Sequence, residues 1–232
     1  MSINNILIWG GKSQSLIIKN MIEKGLVFFE NKKQNNNRIA FIVDPFLERP
    51  TFDTDIPFLN DKSNFKKILK EVDSFIVAIA GNLGMARTLI SEELLKLELK
   101  PLSVISSHAY IDQNVLLGKG LQIMPNTVIN CFSKISNFCI INSSATIDHE
   151  CYLGKGVHIM GGASLAGRIR VNNFATVGTN ATVIPDIELS EGSYVGAGAV
   201  VTKNINKDEI VIGNPSKYLK KNIHSYDLDF FK

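Results

Sequence analysis

Ile141-Asn142-Ser143-Ser144-Ala145-Thr146-Ile147-Asp148-His149-Glu150-Cys151-Tyr152-Leu153-Gly154-Lys155-Gly156-Val157-His158-Ile159 carries the pattern that decides the fold. Its aliphatic residues at 141, 147, 153 and 159 stand six apart. Followed outward, the same step reaches Ile135, Ile129, Ile123, Leu117, Ile111 and Ile105 on one side. On the other it reaches Leu165, Val171, Val177, Val183, Leu189, Val195 and Val201. All seventeen positions are Ile, Leu or Val, far more regular than a hydrophobic content of 45% produces by chance. The position four further on is small or aliphatic throughout, from Ala109 to Ile205. Gly, Asn, Asp, Ser and Lys, the residues of tight corners, fill the space between the two tracks.

A period of six is neither the 3.6 of a helix nor the 2 of an amphipathic strand. It fits a short strand followed by a corner. Three such units close a triangular coil of 18 residues, and successive coils stack about 4.8 Å apart. The aliphatic track points inward. Ile169, Ile187 and Ile205 lie 18 apart on the small track and are expected to stack along one edge of the prism.

The rest of the composition sets bounds. The chain has 232 residues and a net charge of +3, with acids and bases interspersed, so there is no electrostatic case for a nucleic-acid partner. No apolar run approaches the roughly 18 residues that span a membrane. Met1-Ser2-Ile3-Asn4-Asn5 carries no basic stretch before the short apolar run Ile6–Trp9, so no signal peptide is read and a cytoplasmic protein is expected. Cys131, Cys139 and Cys151 are odd in number and lack metal-site spacing, which suits a reducing compartment and no bound metal. The Asn-rich stretch at 31–37, flanked by Lys32, Lys33 and Arg38, is expected to be an exposed loop.

The first hundred residues alternate strands and helices. Ile6–Trp9, Ile39–Val43 and Phe75–Ala80 read as buried strands, and helices are expected over Leu16–Lys24 and about Met85–Leu97. This order implies a small parallel α/β unit. The turn Gly10-Gly11-Lys12-Ser13-Gln14-Ser15 has two readings: a phosphate site at a helix start, or a plain strand-to-helix turn. Ser13 and Ser15 stand where the dinucleotide fingerprint has glycines, so no nicotinamide cofactor is expected.

Leu153-Gly154-Lys155-Gly156-Val157 and Val195-Gly196-Ala197-Gly198-Ala199 resemble the repeat unit of the hexapeptide-repeat transferases. With the α/β unit in front, the whole chain resembles the nucleotide-aminosugar N-acetyltransferase and sialic acid O-acetyltransferase group of that superfamily. The resemblance is closest from Asn142 to Lys217. It implies an α/β, Rossmann-like nucleotide-sugar-binding domain at 1–103, a left-handed parallel β-helix at 104–206 and a C-terminal tail at 207–232. It also implies acetyl-CoA as co-substrate, a nucleotide-linked amino sugar as acceptor, and a homotrimer with its sites between subunits. By position, Lys12, Ser13, Gln14, Asp44, Gly81 and Asn82 match the segments that hold the nucleotide sugar in those relatives.

Acyl transfer from a thioester needs a proton acceptor, and imidazole, ordinarily titrating near 6.5, serves at neutral pH. His149 and Glu150 fall near a corner and face out of the prism, where a carboxylate beside an imidazole stabilises its protonated form. Residue position alone leaves a solvated corner histidine open. The resemblance makes His149 the catalytic base and Glu150 its partner. For His158 two readings stand, a contact to acetyl-CoA or a subunit-interface histidine; His108 and His224 are read as structural. Gly167, Thr179 and Ala197 match CoA-binding positions, although tight corners favour small residues in any case. Ile212-Gly213-Asn214-Pro215-Ser216-Lys217 resembles the closing motif of the family, which makes Lys217 a CoA-phosphate candidate or part of a solvated basic tail. No serine or cysteine has an activating arrangement, so direct attack without an acyl-enzyme is expected. The rival readings are a sugar-hydroxyl acceptor, a non-catalytic sugar-binding or scaffold protein, and a three-histidine metal enzyme. Only His149 and His158 lie where such a metal site would need its ligands.

Overall fold

The computed structural model describes residues 3–28, 37–224, 226 and 228–231. The stretch expected as a loop lies outside them, except Asn37, which opens a strand.

The N-terminal unit runs β1 (Asn4–Trp9), α1 (Ser13–Glu23), β2 (Val27–Phe28), β3 (Asn37–Val43), β4 (Phe58–Leu59), α2 (Lys62–Ile68), β5 (Ser74–Val77), α3 (Gly84–Lys96) and β6 (Lys100–Pro101). Five of these strands form one parallel sheet in the order β4-β3-β1-β5-β6. The apolar runs read from the sequence are its central strands, buried because helices cover parallel sheets on both faces. Helix α2 and the short β4 and β6 have too little periodicity to be read in advance. The chain reverses direction across the sheet between β1 and β5, and a crevice opens there beyond the strand ends.

From β7 (Val104–Ser106) the chain winds into three parallel sheets, each strand pairing with the one 18 residues on. The first face holds Ile105, Ile123, Ile141, Ile159, Val177 and Val195 in register. The second holds Ile111 through Val201, and the third Leu117 through Leu189. From Ile123 onward every residue of the inward track is buried, in a single core with the small track. The first coil is open at its end, and Leu117 there is 38% exposed. Corners recur every six residues at a positive φ, held by Gly120, Asn126, Phe132, Phe138, Ser144, Glu150, Gly156 and their successors. β2 extends the first face by pairing antiparallel with β7, so the two halves share a sheet.

The last coil departs from the repeat. Ile205 does not continue the edge stack of Ile169 and Ile187; it bridges to Leu189, sixteen residues back. Val211 likewise pairs with Val195. The final coil spends two residues fewer on its corners, which shifts the register. The segment set apart as a tail adds two strands to the first face, Glu209–Ile212 and Lys217–Lys221. It then crosses back to the N-terminal sheet, where Phe231 stacks on Trp9 at 4.9 Å.

The seam between the halves is polar and buried. Arg87 of α3, 1% exposed, donates from Nε to the Phe138 carbonyl, from Nη1 to that of Ile79 and from Nη2 to that of Gly156, each at 2.7 Å. Desolvation pushes this guanidinium down to about 10, still charged at neutral pH. Beside it Gly84 meets Gly156 backbone to backbone. A Cβ on Gly84 would come within 2.1 Å of the Gly156 carbonyl oxygen. Gln14 Nε2 donates to Gln122 Oε1 at 2.9 Å, and Gln122 Nε2 to the Val77 carbonyl at 2.8 Å. His158 projects from the first face into the same seam, with Nδ1 2.9 Å from the Gly81 carbonyl. Burial, then the charge of Arg87, push His158 down to about 4 against the opposing bond to Gly81.

Two outcomes follow. Arg87→Ala leaves three buried carbonyls without a donor and should cost about 3 kcal/mol in urea unfolding. His158 is neutral when folded but binds a proton below about pH 6.5 when unfolded. Its contribution is therefore complete above that pH and is lost as pH falls through about 4, a change of up to about 3 kcal/mol. His158→Asn keeps a donor for Gly81 and removes the titration. The variant should show a shallower fall in unfolding free energy between pH 6.5 and 4.5 than the parent, and equal slopes would contradict the buried neutral imidazole.

Candidate active site

The second and third faces of the prism meet at an edge whose corner is Asp148-His149-Glu150-Cys151. Glu150 holds φ +59°, and this kink turns its side chain back beside its neighbour's ring. His149 Nδ1 lies 2.9 Å from Glu150 Oε2, with the two side chains 39% and 54% exposed. A carboxylate only accepts, so Nδ1 carries the proton and Nε2 is left as the acceptor. The backbone N–H of His149 donates to Asp148 Oδ1 at 2.8 Å. That bond, and a second from Asn130 Nδ2 on the coil before, hold the Asp148 carboxyl below the usual range.

One coil on from His149 stands Gly167. A Cβ there would fall 2.6 Å from both Cε1 and Nε2 of the imidazole. Gly167, expected to line a CoA groove, is first of all the bare surface against which the His149 ring lies. Beyond Glu150 on the same edge, Arg168 is clamped by Asp186 through two bonds of 2.7 and 2.8 Å. Cys139 and Cys151 point into the prism and donate to the carbonyls of Gly154 and Ala166. Burial pushes them up to about 12 and about 11, so neither thiol is ionised to act as a nucleophile.

Thr179 and Ala197 are exposed and stack 18 residues apart on another edge, between the first and second faces. Within one chain that edge is separated from His149 by the whole second face. Lys217 is exposed on the outermost strand of the first face. His158, 2% exposed, lies in the seam, and its Nε2 has no partner among the described residues.

A cavity of about 420 Å³ opens where the sheet direction reverses. Trp9, Gly10 and Gly11 from the end of β1, Lys12, Ser13 and Gln14 from the start of α1, and Asp44 and Phe46 after β3 line it. Ala78, Ile79, Ala80, Leu83 and Tyr226 complete the wall. No side chain caps α1 among the described residues, and its first residues, Ser13 and Gln14, line the cavity. Asp44 accepts from the Gly11 N–H at 2.9 Å and the Phe46 N–H at 3.0 Å, which fixes the mouth.

Lys12, Ser13, Gln14 and Asp44 thus gather at one cavity, although the Gln14 amide nitrogen is turned into the seam, where it donates to Gln122. Two expected substrate contacts do not line it. The Gly81 carbonyl is taken by His158. Asn82 lines a smaller groove beside Met85, Ile223 and His224. Sequence reading missed Trp9, Phe46 and Tyr226. An aromatic inside an apolar run looks like core, and Tyr226 is distant in sequence from Phe46 and from the start of α1 that share its cavity.

No protein-family model matches the chain, and comparison with curated proteins gives no significant match. Solved structures do match. PerB from Caulobacter crescentus, in complex with CoA and GDP-perosamine, superposes with a TM-score of 0.81 at 25% identity, over 94% of this chain and 99% of that one. Two further structures of that perosamine N-acetyltransferase carry a histidine replaced by asparagine or by alanine. WeeI from Acinetobacter baumannii superposes at 0.78 with 26% identity, over 94% of this chain and 100% of its own. The acetyltransferase domain of PglB from Neisseria gonorrhoeae, in complex with acetyl coenzyme A, shares the fold at 0.78 and 24% identity, over 94% and 100%. The three parallel sheets fit the left-handed β-helix of such acetyltransferases. Over nearly its whole length, this chain resembles the hexapeptide-repeat sugar acetyltransferases.

Proposed function

We propose that the chain transfers the acetyl group of acetyl-CoA to the amino group of a nucleotide-linked amino-deoxy sugar, with His149 as general base. The observation that carries this is the His149–Glu150 pair at 2.9 Å, with the imidazole laid on Gly167 and its Nε2 free of the carboxylate. The acceptor nitrogen attacks the thioester carbonyl carbon while Nε2 takes its proton. Glu150 stabilises the imidazolium through Nδ1–H. As the carbon–sulfur bond breaks, the same proton passes to the departing sulfur, and CoA leaves as a thiol. The buried state of Cys139 and Cys151 supports direct transfer over an acyl-enzyme.

The N-terminal unit is read as a Rossmann-like nucleotide-sugar site. Its phosphates would lie over Gly10–Gln14 at the start of α1, and its ribose near Asp44 at the end of β3. The GDP-perosamine bound to the Caulobacter enzyme supports this class of ligand. Since His149 and Thr179 lie on different edges of one prism, the reading includes a homotrimer whose neighbours bring those edges together across a CoA groove, with Ala197 and Lys217 on its CoA side; His158, buried in the seam against Gly81, is left out of it.

Thiol release from acetyl-CoA, measured against a panel of nucleotide-linked 3-amino and 4-amino sugars, should reveal one strong acceptor. His149→Ala should lower its turnover by about a hundredfold or more. Gly167→Ala places a methyl group 2.6 Å from the ring and should lower kcat by at least about tenfold with little change in thermal unfolding. A His149→Ala enzyme at parental turnover would remove the base. CoA binding with silence across the panel would turn the search to hydroxyl acceptors.

A further inference from the structure

The cavity has a wall that the repeat architecture does not supply. After Asn222 the chain leaves the last coil, where Asn222 Nδ2 donates to the Gly192 carbonyl at 2.8 Å and its N–H to that of Asp208. His224 Nε2 lies 3.2 Å from the same Gly192 oxygen. The chain end is pinned on the other half of the molecule. The rings of Phe231 and Trp9 stack at 4.9 Å and 17°, while Phe230 meets Trp9 and Phe65 edge-on, each at 5.2 Å. Between these anchors Tyr226 enters the cavity lining and meets Phe46, from the loop after β3, edge to face at 6.1 Å. Phe46 is 66% exposed although it lines a cavity, which is unusual for a large apolar ring unless something covers it.

The order of groups around the cavity assigns the ligand's parts. The uncapped start of α1 suits a diphosphate, and Asp44 at the end of the neighbouring strand stands where a ribose hydroxyl would fall. The flat base beyond the ribose then reaches Phe46. On the nucleotide-sugar reading above, we infer that residues 226 and 228–231 act as a strap whose Tyr226, with Phe46, clamps the base of the bound nucleotide. Stacking on an aromatic ring tolerates any base, so the clamp adds affinity for nucleosides without selecting among them. Tyr226 is a binding residue for the proposed class of substrate and takes no part in the proton transfer at His149.

Trp9 is the only tryptophan, lines the cavity and stacks on the strap, so its fluorescence reports both binding and strap position. GDP, UDP and inorganic pyrophosphate would be titrated into the full chain and into Tyr226→Ala, Tyr226→Phe and Phe46→Ala. Both nucleotides should bind the parent more tightly than pyrophosphate. Tyr226→Ala and Phe46→Ala should each weaken nucleotide binding by about tenfold and leave pyrophosphate unchanged, while Tyr226→Phe stays within about twofold of the parent. Exposed Phe46 is replaceable without loss of fold, so its variant decides the matter if Tyr226→Ala is unstable. Nucleotide binding that survives loss of either ring undiminished overturns the clamp alone. A parent that binds neither nucleotide overturns the nucleotide-sugar reading, and the clamp with it.

Discussion

The arrangement of the whole molecule rests on one guanidinium. A β-helix ladder pairs the N–H and carbonyl groups of its strands, but the carbonyls of the left-handed corner residues lie outside the ladder. Anything that buries an edge of the prism must bring donors to them. Arg87 carries donors in a rigid fork and reaches the carbonyls of Phe138 and Gly156, two corners one coil apart, while holding Ile79 in its own half. Among the described residues its hydrogen-bond partners are all backbone carbonyls, whose dipoles stabilise its charge. The bare contact of Gly84 on Gly156 allows α3 to come close enough for this. Since Ile79, Ala80 and Leu83 line the cavity within a few residues of Arg87, the seam also fixes where the cavity points.

The same corner chemistry explains the edge that carries His149 and Glu150. In an extended strand, adjacent side chains point to opposite faces and cannot bond to each other. The left-handed conformation of Glu150, which costs a non-glycine residue about 1 kcal/mol, bends the chain so that Glu150 and His149 share one side. Stacking then gives each corner a neighbour above and below. Asn130 steadies Asp148 from the coil before, and Gly167 makes room for the ring on the coil after. Asp186 engages Arg168, which would otherwise be the nearest cation to compete with His149 for Glu150. A rigid prism thus positions the pair with almost no contribution from loops.

What was legible in the sequence follows from what repeats. The six-residue track gave the inward residues and the faces, because every strand obeys the same geometry from Ile105 to Val201. It failed at Ile205, because residue counting cannot see that the last coil shortens its corners. The His149–Glu150 pair was legible because the track fixes which residues face outward at a corner. Arg87, Gln122 and Gln14 were not. A polar residue on a helix or strand reads as a solvated face unless one knows what docks there. The strap was invisible for a related reason. Tyr226, Phe230 and Phe231 follow no period, and their meaning lies in Trp9 and Phe46, some two hundred residues earlier in the chain.

On the proposed function, the two halves divide the chemistry between them. A proton acceptor beside a carboxylate on a β-helix edge is indifferent to which amine it deprotonates, and the corner residues around His149 contain nothing that measures a sugar ring. On the proposed reading, discrimination comes from the cavity of the N-terminal unit, where the start of α1, the Asp44 carboxylate and an aromatic wall line one crevice. That cavity is built from loops between strands and from the chain end, the parts of the fold most free to vary while the repeat stays constant. On that reading, acceptor recognition rests on cavity residues such as Lys12, Ser13 and Asp44, and the repeats that decide the fold say little about it.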